Sequence, residues 1–174
     1  MQQATKTRAA IVVSLWIILA CTHARAADIN LSGTVVASAC TVDAGTKDQT
    51  VTFEQARAVD YPNVSDTGEW QDFALTLSAC PASTTQVTVT FTGDADNDDP
   101  TKFANTQGDA TGMALQIMSR DHITEISPQG ALAVNVDSIS RSATFPLSAR
   151  LYTPTGYVTA GEFKAVVQFS FTYQ

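Results

Sequence analysis

Hydrophobic and polar positions alternate with a period of two along most of the chain, the spacing of half-buried β-strands and not the 3.6-residue spacing of helices. The segment QVTVTFT, residues 86–92, places Val87, Val89 and Phe91 on one face and Thr88, Thr90 and Thr92 on the other, so one face is core and one is wet. The same pattern predicts strands over residues 73–77 (FALTL, running into Cys80 and ended by Pro81), 112–120, 131–136, 143–153, and from Gly161 to the end. Ser127-Pro128-Gln129-Gly130 predicts a hairpin-like turn. The one competing helical window, residues 54–59, is short and runs into Tyr61-Pro62. Strands separated by turn signals predict an all-β fold, a two-layer sandwich of immunoglobulin type.

The final strand has the clearest alternation. In FKAVVQFSFTYQ, Phe163, Ala165, Val167, Phe169, Phe171 and Tyr173 share one face, and Lys164, Val166, Gln168, Ser170, Thr172 and Gln174 share the other. Chain ends ordinarily fray and are polar, so an apolar face carried this far implies a terminus held in place.

A second alternating stretch, ADINLSGTVVASAC (residues 27–40), stands without a hairpin partner beside it. It follows a secretory signal pattern: Lys6 and Arg8, the apolar run IVVSLWIILA at residues 11–20, and the small-residue cleavage pattern Ala24-Arg25-Ala26. The apolar run is too short to cross a bilayer. Cys21 allows a lipoprotein signal instead, but Leu19 fits that pattern poorly. The division expected is therefore a removed signal over 1–26, an arm over 27–39 and one domain over 40–174.

Removing the signal takes Lys6, Arg8 and Arg25 with it, leaving seven basic residues against 17 acidic ones, a formal charge of −10. So acidic a surface argues against nucleic acid and anionic lipid as partners. Two cysteines remain, Cys40 and Cys80, in a chain sent to an oxidising compartment, and one intrachain disulfide is expected.

Chemistry is thinly supplied. His122 is the only histidine left after the signal, which disfavours histidine-based catalysis and a zinc site alike. The run DADNDDP has Asp94, Asp96 and Asp98 spaced as a calcium loop begins. Asp99 then stands where that loop needs glycine and Asn105 where it needs glutamate, so a solvated acidic loop is expected. Asn63-Val64-Ser65 matches a glycosylation sequon, a short pattern with little weight by itself. No catalytic set, metal site or cofactor is expected. A carbohydrate-binding sandwich, with Trp70, Tyr152 and Tyr157 stacking on sugar rings, is the alternative from another functional class.

Several segments together resemble the pilins of the chaperone and usher pathway, most closely minor subunits (tip adaptors) of type 1 fimbriae. They are the glycine-centred arm before the first cysteine (INLSGTVVASAC), EWQDFALTLSACP around the second, VTVTFTGDAD, NTQGDATGMALQI, ATFPLSARLY, a penultimate Tyr173 and Gly161 fourteenth from the end. The resemblance implies an incomplete immunoglobulin-like sandwich whose last strand is supplied by another chain. It implies a groove beside the strand carrying Gly161, Phe163, Ala165, Val167, Phe169, Phe171 and Tyr173. It also implies a donor arm in which Ile29, Leu31, Gly33 and Val35 face a neighbour's groove. The partners implied are a periplasmic chaperone, an outer-membrane usher and one pilin neighbour on each side, with export through the periplasm to a surface fimbrium. An ordinary first strand folded into its own domain is the plain alternative for the arm.

Overall fold

A computed structural model of the protein describes residues 39–174; the expected signal and the arm residues Ile29, Leu31, Gly33 and Val35 lie outside the described residues. The described part is two antiparallel sheets. The first orders β1 (Thr41–Val42), β2 (Gln71–Ser78), β8 (Ala143–Tyr152), β5 (Ala114–Ser119) and β4 (Phe103–Ala104), with β6 (Glu125–Ile126) also paired to β5. The second orders β7 (Ala131–Asn135), β3 (Gln86–Thr92) and β9 (Gln168–Tyr173). A single helical turn, α1 (Ala44–Lys47), lies against β2, where the buried Thr46 hydroxyl accepts from Thr76 N–H at 2.8 Å and donates to Thr76 C=O at 3.1 Å. It takes the place of a strand there and closes that stretch of sheet edge.

The alternation does what it predicts. Val87, Val89 and Phe91 of β3 and Phe145, Leu147 and Ala149 of β8 are buried, facing one another between the sheets. The rings of Phe145 and Phe171 lie 5.9 Å apart and join β8 to β9 across the core. Pro146 sits within β8, a strand paired on both sides. Its carbonyl accepts from Arg120 N–H, just past the end of β5, so the missing proline donor faces a place where the ladder has stopped.

The sandwich has two poles. At one, Cys40 and Cys80 form the expected disulfide, Arg141 positions the Cys80 peptide by accepting from Cys80 N–H at its backbone C=O (2.9 Å) and donating from its side-chain Nε to Cys80 C=O (2.9 Å), and Gln174 C=O accepts from Thr85 and Gln86. At the other lie the end of β8 and the loops 58–66 and 153–158, joined by Ser65 N–H to Thr153 C=O at 2.9 Å.

Two expectations are corrected, and a discounted window is settled. The turn at 127–130 forms, with Gln129 at φ +68° and Gly130 N–H to Ser127 C=O at 2.7 Å, but it carries the chain from β6 in one sheet to β7 in the other and is no hairpin. The 54–59 window, read as too short to compete with the strands, holds only the start of the 3-10 turn Ala58–Asp60. The final strand pairs only from Gln168, because β3 ends at Thr92 and leaves residues 161–167 with no strand to bond.

The outer face of the first sheet is polar and tied together. Buried Lys102 meets Glu125 at 2.7 Å and Asp99 at 3.2 Å, and its ammonium lies 4.8 Å from the Tyr152 ring. Gln116 Nε2 donates to Glu125, Gln116 Oε1 accepts from Arg150 Nε at 2.7 Å, and the Arg150 guanidinium lies 4.2 Å from the Trp70 ring. Burial pushes the Asp99 carboxyl up, but hydrogen bonds from Thr101 and Lys102 outweigh it and hold it below the usual carboxylate range. Burial pushes the Lys102 ammonium down, and its bonds to Glu125 and Asp99 outweigh that and raise it.

A lowered Asp99 stabilises the fold above its unfolded pKa of about 3.9, and that contribution is lost as pH falls through the lower folded value. The raised Lys102 contributes below its unfolded pKa of about 10.4 and is lost as pH rises beyond it. Urea unfolding is therefore expected to show a plateau at neutral pH and an acid limb below about pH 4, and Lys102→Met should flatten part of that limb and cost about 1–3 kcal/mol at pH 7. Replacing both Cys40 and Cys80 by alanine should lower stability by about 4 kcal/mol for a loop of this length, read as the shift in the unfolding midpoint.

Candidate functional site

Between the sheets runs an open apolar groove of about 980 Å3. Its floor is Leu75, Phe91, Leu115, Ile117 and Ala149 from β2, β3, β5 and β8. One lip is the extended segment 49–58, and the other is residues 158–169, the run into and the start of β9. Phe53 and Phe163 lean towards each other from the two lips, ring centres 6.5 Å apart and nearly perpendicular.

The lips are alike in their backbones. Residues 49–56 and 165–167 make no backbone–backbone hydrogen bond to other described residues, and β9 pairs with β3 along one edge only. Unpaired peptide groups on both sides of a hydrocarbon floor make a slot shaped for an extended chain: the walls offer N–H and C=O groups, the floor offers burial for alternate side chains. Phe163, Ala165, Val167, Phe169, Phe171 and Tyr173 all point to the core side of the second sheet and are only half-buried, while their neighbours in sequence are exposed. Burial raises the Tyr173 phenol, and it raises that of Tyr61 too, where Asp60 and Glu69 add to the effect.

The outer end of the second lip is pinned by Asn105. Its amide donates to Ala110 C=O (2.8 Å) and Glu162 C=O (3.0 Å), and its oxygen accepts from Gly108 N–H (3.1 Å) and Lys164 N–H (2.7 Å). Gly161 lies so close to the same loop that a β-carbon there would come within 2.6 Å of Ala110 N and Asp109 Oδ1. Glycine is needed here for close approach.

The first lip was assigned to no strand in the sequence, and its one short helical window, residues 54–59, is extended up to the 3-10 turn Ala58–Asp60. The signal was present in TVTFE, where Val51 and Phe53 alternate with threonines and Glu54. The acidic loop is self-satisfied: Asp96 accepts from Asp98 N–H and Asp99 N–H, Asp99 from Thr101 and Lys102, and no group of three or more candidate metal ligands exists among the described residues. His122 is exposed, and its ring stacks on Trp70 at 4.2 Å. Trp70, Tyr152 and Tyr157 form no shared platform: Trp70 is engaged by His122 and Arg150, Tyr152 by Lys102 and Ser65, and Tyr157 stands on a loop at the far pole.

This geometry defines a class, an incomplete immunoglobulin-like sandwich with an open apolar groove between its sheets. The chain belongs to the fimbrial protein family, whose model matches residues 29–174. It is 33% identical over 164 residues to Protein FimG of Escherichia coli K12, covering 93% of this chain and 95% of that one. It is also 33% identical over 150 residues to the laminin-binding fimbrial subunit ElfA of Escherichia coli O157:H7, covering 83% and 82%. Among solved structures, the P pilus rod subunit PapA superposes with a TM-score of 0.66 at 20% identity, covering 78% of this chain and 99% of that one, a likeness of fold. The protein is a structural fimbrial subunit and not an enzyme.

Asn105→Ala should release the outer lip, lowering stability by about 1–3 kcal/mol. Amide exchange at Glu162 and Lys164 should quicken while exchange in β3 stays slow; equal protection in both proteins would show that Asn105 does not hold the lip.

Proposed function

We propose that the protein polymerises by donor-strand exchange, taking a strand from one neighbour into its groove and supplying its own arm, residues 27–39, to another. The single observation that carries this reading is the groove itself, with hydrocarbon below and unpaired backbone on both lips. Strand addition of this kind, including that between chaperone and pilin, is a known mode of peptide recognition. In the arm, Ile29, Leu31 and Val35 stand at alternate positions with Gly33 among them, so they reach the floor together while the arm backbone bonds to Gly161, Phe163, Ala165, Val167 and Phe169 of the lip. Each large aliphatic side chain contributes about 1.5–3 kcal/mol of burial before the cost of ordering the arm.

Before assembly, a groove of this kind is an aggregation hazard. A periplasmic chaperone fills it in our reading, pairing with the strand through Tyr173, and an outer-membrane usher exchanges the chaperone for the next subunit's arm. The signal peptide directs the chain into the periplasm and the fimbrium carries it to the surface. With an arm and a groove the chain has a neighbour on each side, and its resemblance to minor type 1 subunits supports the place of a tip adaptor.

A synthetic peptide of residues 27–39 added to the mature chain tests the reading. At a hundred times its Kd the peptide should stabilise the fold by about 2.7 kcal/mol and protect the amides of residues 163–167 from exchange. A Gly33→Val peptide should bind at least about tenfold more weakly, because the added side chain overpacks the floor. Absence of binding by the parent peptide, together with unchanged exchange along both lips, would sink the proposal.

A further inference from the structure

The second sheet has two edges, and the groove uses only one of them. Its order is β7-β3-β9, so the edge along β9 borders the groove and the edge along β7 lies on the opposite side of the sheet. Two hydrogen bonds of 2.9 Å, Val136 N–H to Thr85 C=O and Phe91 N–H to Gly130 C=O, fix which peptide groups of this stretch turn towards β3. With Val87 opposite Val134 and Val89 opposite Leu132, the even-numbered residues of β7 bond to β3. The odd-numbered ones, Ala131, Ala133 and Asn135, aim their N–H and C=O groups outwards. Among the described residues no other strand pairs with that edge, and no backbone bond reaches those groups.

Natural sheets commonly guard an open edge with charge or proline. This edge has neither: no charged residue occurs from Ile126 to Val136 and no proline after Pro128, in a mature chain whose formal charge is −10. Ala131, Ala133 and Asn135 are exposed, and two of the three are alanine, so another backbone can come close. Leu132 and Val134, on the core side of the same strand, are only half-buried, which leaves hydrocarbon for a further strand to cover. Asp137, the first charge beyond the strand, is occupied within its own turn by the backbone of Ile139 and by Ser140.

We propose that the β7 edge is a lateral docking strip for the β7 edge of a second copy of this chain, paired antiparallel about a two-fold axis at Ala133. The strip is self-complementary in that register. Ala131 stands opposite Asn135 and Ala133 opposite its own copy, so all the outward N–H and C=O groups find partners across the seam. Leu132 of one copy meets Val134 of the other on the core side, and Asp137 falls opposite Gln129, so no two carboxylates face each other. Charge selects this occupant. Two chains that each carry −10 approach with least repulsion along a stretch that has no charge, and a basic partner would find no carboxylate on the strip to recognise. The contact is isologous and closes after two chains, and it leaves the β9 edge free. Subunits joined lengthwise through their grooves would thus be held side by side in pairs, whatever fills each groove.

Substitutions at Ala133 in the mature chain test this, with excess arm peptide present and again without it. Residues opposite each other at a bonded antiparallel position stand about 5.5 Å apart at Cα, within disulfide reach. Under a mild thiol oxidant, Ala133→Cys should give linked dimers at least about tenfold in excess of those from Ile123→Cys, a control at a position 79% exposed on the β5–β6 turn. Ala133→Lys and Ala133→Glu should each weaken association about tenfold in sedimentation, because like charges then meet at the axis. An equimolar mixture of the two should restore it, since opposite charges then meet. Arm-and-groove assembly does not sense the sign of a charge on the far edge of the sheet, so only the lateral contact responds in this way. Equal dimer yields from the two cysteine variants, parent-level association by both charged variants, or a mixture no better than either alone overturns the strip. So does a peptide-saturated parent chain that stays monomeric at about 1 mM.

Discussion

Two backbone edges facing each other across exposed hydrocarbon are the constraint around which this domain is arranged. A sandwich must cover its apolar faces and pair its edges, and among the described residues, 49–56 and 165–167 leave both tasks unfinished along one seam. Peptide groups that lose water without gaining a partner cost about 1–3 kcal/mol each, so partial burial of this seam is a worse state than either full exposure or full pairing. An extended chain satisfies both edges at once and covers the floor. No small ligand of ordinary shape matches that combination, because the groove's specific hydrogen-bonding capacity lies in two parallel walls of backbone.

A groove of this size persists only if its walls cannot fall inwards. β8 forms the spine, paired over most of its length to β2 and β5, and its Phe145 reaches across to Phe171 of β9. The outer face of the same sheet is clamped by the chain of contacts from Asp99 through Lys102, Glu125, Gln116 and Arg150 to Trp70. Burying charge is a poor source of stability by itself, but a fully bonded set of this kind fixes where strands stand. At the edges, Asn105 fixes one lip and the helical turn with Thr46 shields β2 ahead of the other. Rigidity on three sides is what allows the fourth to remain open.

Most of the architecture was legible because half-buried strands write their burial directly into alternate residues. β2, β3, β7 and β8 stand where the alternation of FALTL, QVTVTFT, ALAVN and ATFPLSARLY puts them. Sheet membership was not legible: Gln129-Gly130 reads as a turn whether it joins neighbours or carries the chain between layers. The groove is a harder case. Phe163 to Tyr173 alternates like any central strand, and only the tertiary arrangement shows that one of its edges is open. His122 on Trp70 and Arg150 over the same ring were equally invisible, since they depend on the register of Gln71 with Ala149, which carries Trp70 alongside Arg150. The first lip went unassigned because its period-two pattern amounts to Val51 and Phe53 alone.

The same seam gives the molecule a polarity. Cys40, where the arm begins, and Gln174, where the second lip ends, share the disulfide pole, while the mouth with Gly161 lies at the opposite one. A protein that gave its arm to its own groove would have to carry about four residues of leash along the whole length of the sandwich, from Cys40 to the far mouth, before an antiparallel arm could enter. Strands of eight to ten residues such as β2 and β8 span about 26–33 Å, well beyond that reach. Four residues are too short for that path. One open seam between two unlike poles is what gives the domain its direction.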